Sequence, residues 1–185
     1  ETSSLRVAIV GEVGCGKTTL ARALSGEASG PRSPPPPRTD GAAVAVAVVE
    51  PDTGGAAQLV ELWEVSARPH AAHLRPLLLR GVAAVILVHD ASAPHSIYSI
   101  KYWAELLAEE GSFAGGEEGM PSVGLERFEN GDVGLYGLPV PALVLGNKAD
   151  LRSRRGRRPL LSLPPWARPR RLMHALLKRL GRRPV

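Results

Sequence analysis

The most specific chemistry in the chain lies near its start, where Gly11, Glu12, Val13, Gly14, Cys15, Gly16, Lys17 and Thr18 satisfy the pattern G-x-x-x-x-G-K-[ST]. Glycines at these positions let successive backbone N–H groups curl around phosphate oxygens. A helix that begins at Lys17 adds the positive end of its dipole. Lys17 would reach the outer two phosphates of a nucleoside triphosphate, the Thr18 hydroxyl would coordinate magnesium, and Thr19 joins the phosphate-binding set. In a chain of this length and average residue usage the pattern arises by chance on the order of once in a hundred.

A second group, Gly146, Asn147, Lys148, Ala149 and Asp150, closes an apolar stretch near the end of the domain. A carboxylate at Asp150 can accept two hydrogen bonds from the N1–H and exocyclic amine of guanine, donors that adenine lacks. A carboxylate left unpaired would penalise the wrong base. Asn147 would brace the loop, and the stem of Lys148 would cover the base plane. Cys15 is read as a small packing residue rather than a reactive thiol. His70, His73, His89, His95 and His174 show no ligand spacing with Cys or acids, and no metal other than magnesium is expected.

Both groups need elements to hold them. Leu5 to Val10 is a compact apolar run ending at Gly11, and TTLARALS after Lys17 spaces Leu20 and Leu24 four apart, so strand, glycine loop and helix follow one another. Residues 26–38, with four consecutive prolines from Pro34 to Pro37, read as an extended flexible loop. Ala43–Glu50 and Gln58–Trp63 flank PDTGG as a hairpin. A short helix from Ala71 to Arg80, interrupted by Pro76, precedes Val82–Val88, whose unbroken apolar character suits a strand buried on both faces. A helix is expected over residues 96–110, a long glycine-rich flexible loop over 111–138, a strand from Pro139 to Leu145, and a last helix from Arg170 to Leu180. The alternation predicts an α/β fold with a mostly parallel, doubly wound sheet.

The 185 residues suffice for one such domain. Aromatic residues make up only 4%, so aliphatic side chains must build the core. The formal charge of +5 conceals a division: residues 1–150 hold 11 Lys/Arg against 18 Asp/Glu, whereas 151–185 hold 12 Lys/Arg and no acid. The basic tail is read as a solvated segment that could also make a weak contact with an acidic surface or with import machinery, and its terminal helix as packing on the domain. A single cysteine excludes an internal disulfide and fits a reducing cytoplasmic setting, with the nucleus as a second location. No run of about 20 apolar residues could span a membrane. The start, ETSSLRVAIV, does not read as a secretory signal, and no cysteine in the last four residues means that no prenylation is expected.

The two motifs, in this order, resemble the Ras superfamily of small GTPases. VELWEV (Val60–Val65), ILVHD (Ile86–Asp90), YWAELLAEEGSF (Tyr102–Phe113) and LPVPALVLGNKAD (Leu138–Asp150) are similar to its divergent Rab-like group. The resemblance covers about residues 5–150. It implies a P-loop NTPase fold of the Ras-like G-domain type over 1–150, with GTP or GDP and Mg2+ as cofactors. It further implies a GTP/GDP molecular switch whose two switch loops meet protein effectors and regulators. Thr39, in RTDGAAVAV, matches the threonine that binds the metal and the γ-phosphate. Glu64 matches the second metal-linked carboxylate, Ala67 a glycine whose amide senses the γ-phosphate, and Arg68 a glutamine that orients water.

Several departures point to weak hydrolysis. Glu64 is one methylene longer than the family's aspartate, Ala67 narrows the backbone freedom of glycine, and Arg68 cannot accept a hydrogen bond from water. Arg68 could still stabilise phosphate charge and is the one candidate catalytic residue. Val13 brings a branched side chain to the γ-phosphate position. Beyond Asp150 no Ser-Ala-Lys loop follows, and the C-terminal part reads as truncated or divergent, with Leu160–Pro164 as a strand remnant. The alternative to a switch is a degenerate scaffold that binds partners whatever its nucleotide state.

Overall fold

The computed structural model describes residues 4–27, 36–50, 56–110, 124–127, 133–136, 138 and 140–151. Most of the proline loop, the PDTGG turn, much of 111–138, and the tail beyond Leu151 with its expected strand and helix lie outside the described residues.

Strand β1 (Ser4–Gly11) is the centre of the molecule, with Val7, Ala8, Ile9 and Val10 wholly buried. It pairs in parallel with β3 (Gln58–Val65) on one side and β4 (Ala84–Asp90) on the other. β2 (Ala42–Val49) runs antiparallel to β3, in the register Ala42↔Val65 and Val49↔Gln58. β7 (Ala142–Asn147) adds to β4 in parallel, giving the order β2-β3-β1-β4-β7. The described core is therefore a mixed α/β sheet, four of whose five strands are parallel, as a Ras-like G domain requires.

Period-two alternation sends the apolar residues of β1 to both faces, so both need cover. Val7 and Ile9 join Leu62, Ile86 and Val88 beneath Leu20 and Leu24 of α1 (Lys17–Ser25). Ala8 and Val10 face Ile100, Trp103, Ala104 and Leu107, a stripe at helical spacing on α3 (Tyr98–Glu110). Trp103 is 1% exposed, and truncating it to Ala would cost about 3–5 kcal/mol in lost burial and a cavity.

Three differences from the sequence reading have local causes. Pro76 does not interrupt a helix: a 3-10 turn over Pro69–Leu74 leads into α2 (Arg75–Leu79), and Pro76 stands in the first turn, where no donor is missed. The last strand of the sheet starts at Ala142, because Pro141 before it lacks the N–H a ladder needs, although its carbonyl still accepts from Val85 N–H at 3.0 Å; Pro139, the expected start, lies outside the described residues. Inside the stretch read as a loop, β5 (Gly124–Arg127) and β6 (Val133–Tyr136) pair antiparallel. Four residues per strand are too few for alternation to stand out among glycines. Among the described residues no helix is long and apolar enough to cross a membrane.

Candidate nucleotide site

The neighbours of β1 in the sheet lie on opposite sides of it and connect in opposite senses, so the crevice beyond its carboxyl end is where open sheets bind ligands. The loop from Gly11 to Gly16 occupies that crevice. Gly11, with φ at +148°, passes so near β4 that an added Cβ would stand 2.1 Å from the Val88 carbonyl oxygen. Gly16, at φ +97°, would place a Cβ 2.1 Å from Asn147 Nδ2. Backbone conformation thus favours glycine at both positions, and at Gly11 the contact with the β4 backbone imposes it as well.

Lys17 is only 6% exposed. Its Nζ donates to the carbonyls of Gly11, at 3.1 Å, and Glu12, at 3.0 Å, which holds the ammonium across the mouth of the loop. Among the described residues no carboxylate pairs with it. A desolvated cation neutralised only by carbonyl dipoles favours an anion placed beside it.

Behind the lysine, three oxygen-bearing side chains from separate elements converge. The Thr18 hydroxyl on α1 donates to Glu64 Oε1 on β3 at 2.8 Å and stands 3.2 Å from the Thr39 hydroxyl. Strand alternation directs Glu64 to the same face as Val60 and Leu62, under α1, where it is 3% exposed. Its Oε2 is buried without a hydrogen-bond partner. Two hydroxyls and a carboxylate with one open oxygen form a hard-oxygen donor set of the kind that Mg2+ takes, so these residues fit the ion the sequence implied.

An open cleft of about 240 Å³ unites this end. Lining it are Val13, Gly14, Gly16, Lys17, Thr18, Thr19, Thr39, Glu64, Ala67 and Arg68 from the sequence-derived set, with Pro36, Pro37, Arg38 and Ser66. Val13 stands 58% exposed at its edge. Cys15 lies beneath the loop at 1% exposure, and burial pushes its thiol up from the usual range.

Asn147, Lys148 and Asp150 do not line the cleft and form a separate end. Asn147 Nδ2 donates to the Cys15 carbonyl at 2.9 Å, tying this loop to the phosphate loop across 132 positions. Lys148 adopts φ 57°, and its backbone N–H donates to Asn147 Oδ1 at 2.9 Å. The Lys148 ammonium donates to Asp90 Oδ2 at 2.7 Å, and this bond, with those from Ser92, lowers the Asp90 carboxyl to about 2. Asp150 is exposed in a single 3-10 turn, Ala149–Leu151.

Contacts between distant segments were missed by the sequence reading. Ser66, 3% exposed, donates its N–H to the Gly41 carbonyl at 2.9 Å and its hydroxyl to the Thr39 carbonyl at 3.2 Å. Asp40 meets His70 Nε2, and that bond holds the Asp40 carboxyl below its ordinary value. Arg75, 5% exposed, donates from Nε to the Ser66 carbonyl (3.3 Å), from Nη2 to the Arg68 carbonyl (3.1 Å) and from Nη1 to the Tyr102 hydroxyl (2.7 Å). Its guanidinium also lies 5.0 Å from the Trp103 ring. The available signal was a charge set in the otherwise apolar LRPLLL.

No family model matches the chain. It is 32% identical over 163 residues to the small GTPase LIP1 of Arabidopsis thaliana, an alignment that covers 82% of the chain and 43% of that relative. The small GTPase-like protein LIP2 of the same plant is 29% identical over 164 residues, covering 82% of the chain and 44% of its own length. The chain therefore spans less than half the length of the curated relatives it matches.

Proposed function

The chain belongs to the Ras-superfamily small GTPases, and we propose that it binds GDP and GTP with Mg2+ as a molecular switch of the Rab-like kind, with slow intrinsic hydrolysis. The observation that carries this reading is the convergence of Lys17, Thr18, Thr39 and Glu64 on one cleft, with a buried Glu64 oxygen left open. Gly14, Gly16 and Lys17 receive the phosphates. Thr18, Thr39 and Glu64 hold the ion, whose charge would offset that of the outer phosphates. Asn147, Lys148 and Asp150 receive guanine.

Thr39 provides the switch. Its segment is tied to the 64–70 segment through Ser66 and the Asp40–His70 pair, and a γ-phosphate adds one more contact that favours this ordered form for effectors and regulators. The scaffold alternative is disfavoured, because a buried, half-satisfied carboxylate and a buried lysine lining one cleft cost stability that a bound ion and phosphates would offset. Slow turnover follows from Arg68, which has no lone pair with which to orient the attacking water. A side chain at Val13, in the mouth of the cleft, also crowds the approach. The single cysteine suits a cytoplasmic or nuclear setting, and the basic tail suits a weak acidic contact.

Titration of the protein with a fluorescent N-methylanthraniloyl GDP, in magnesium and then in EDTA, tests the reading. The expected result is saturable binding that weakens at least tenfold in EDTA. An absence of binding in either buffer would return the chain to the scaffold reading.

A further inference from the structure

We propose that Arg75 is a positioning residue that keeps the 66–68 segment in its ligand-ready form whatever nucleotide is bound, so that γ-phosphate discrimination falls to the Thr39 segment. This rests on the guanine-nucleotide reading above. Arg75 grips the carbonyls of Ser66 and Arg68, on either side of Ala67, and Ala67 lines the cleft. The third anchor of the guanidinium is the hydroxyl of Tyr102 on α3, an element fixed to the core through Trp103 and Leu107. The side chain is 5% exposed, so water does not compete for these bonds.

A segment free to order only around a γ-phosphate would lose conformational entropy when GTP binds, and that cost would lower the affinity for GTP relative to GDP. With the guanidinium in place the cost is met in folding. Ala67, where glycine freedom would serve a mobile loop, agrees with a fixed backbone. The Thr39 segment has no buried cation gripping it: the Thr39 hydroxyl and carbonyl make single contacts at 3.2 Å with Thr18 and Ser66, the Gly41 carbonyl at its end accepts one backbone bond from Ser66 N–H at 2.9 Å, and its Asp40–His70 contact is exposed.

The test compares wild type, Arg75→Gln, Arg75→Lys and Tyr102→Phe by amide hydrogen exchange and nucleotide affinity, using GDP, GTPγS and no nucleotide. In wild type, exchange over residues 66–74 should be the same in all three conditions, with GTPγS protecting only residues 36–41. Arg75→Gln should raise exchange at 66–68 about tenfold or more without nucleotide. It should lower GTPγS affinity about tenfold while GDP affinity stays within twofold. A change confined to one nucleotide is not what general destabilisation produces. Arg75→Lys should restore part of the difference, and Tyr102→Phe, which keeps the ring and two of the three bonds, should give the same pattern at smaller size. The proposal is overturned if wild-type 66–74 is protected only by GTPγS, or if the Arg75 variants leave exchange there unchanged. Failure of wild type to bind either nucleotide sinks the functional reading alone, because the nucleotide-free exchange still judges the role of Arg75.

Discussion

The two ends of the proposed nucleotide site are built on opposite terms. The phosphate end lies over the middle of the sheet, where Lys17, Glu64 and Ser66 are nearly inaccessible and side chains from α1, β3 and the Thr39 segment meet. The base end hangs from β7, at the margin of the described sheet, where no strand residue is fully buried and Asp150 faces water. A charge gains far more from a partner in a dry, pre-set site than on a wet surface. The contrast teaches that affinity should reside in the phosphates and selectivity in a weak, solvent-screened readout of the base.

The most direct way to break the contrast is Lys17→Ala. It should lower affinity for the fluorescent GDP on the order of 100-fold, the loss of strong charge-assisted bonds at a buried site, and near-normal binding would mean that the base end dominates after all. Next in size is Glu64→Ala, expected to abolish most of the magnesium dependence, so that titrations with magnesium and with EDTA agree within about threefold. A variant that kept the wild-type magnesium effect would remove Glu64 from the ion. Asp150→Ala should do less. Competition between GDP and inosine diphosphate, which lacks the exocyclic amine, should favour GDP by about tenfold in wild type and hardly at all in the variant.

The smallest effect concerns pH. The Asp90 carboxyl is lowered to about 2 from an ordinary 3.8 by Lys148 and Ser92, so the pair contributes stability that is complete above the ordinary value and is lost as pH falls toward 2. Thermal melts of wild type and Lys148→Met should therefore differ slightly at neutral pH and converge between about pH 4 and pH 2. A difference that persisted at pH 2 would show that Lys148 supports the loop by packing rather than by charge.

Legibility divides along similar lines. The strand, glycine turn and helix around Gly11–Thr18 could be read because the pattern sits in eight consecutive residues, four of them set by residue type, between an apolar run and a helical one. The sheet could be read because β1 and β4 carry unbroken apolar runs, Val7–Val10 and Ala84–Val88. Thr39 could be assigned only through family resemblance, since nothing local distinguishes it from a loop threonine, and its position beside Thr18 is a tertiary fact. Ser66, Arg75 and the Asp40–His70 pair were not legible at all, because their bonds join segments whose proximity no periodicity encodes. The contact between Asn147 and Cys15 spans most of the domain, and it sets the Asn147 amide against Gly16, whose φ of +97° already favours glycine.

Cys15 gives the closed phosphate loop an experimental handle. It is the only thiol in the chain, it lies sealed under that loop, and burial keeps it protonated above the usual thiol range. Only a thiolate exposed to solvent reacts readily with an alkylating reagent. The chain thus carries a native stopwatch, with a labelling rate set by how often the loop lifts off its base.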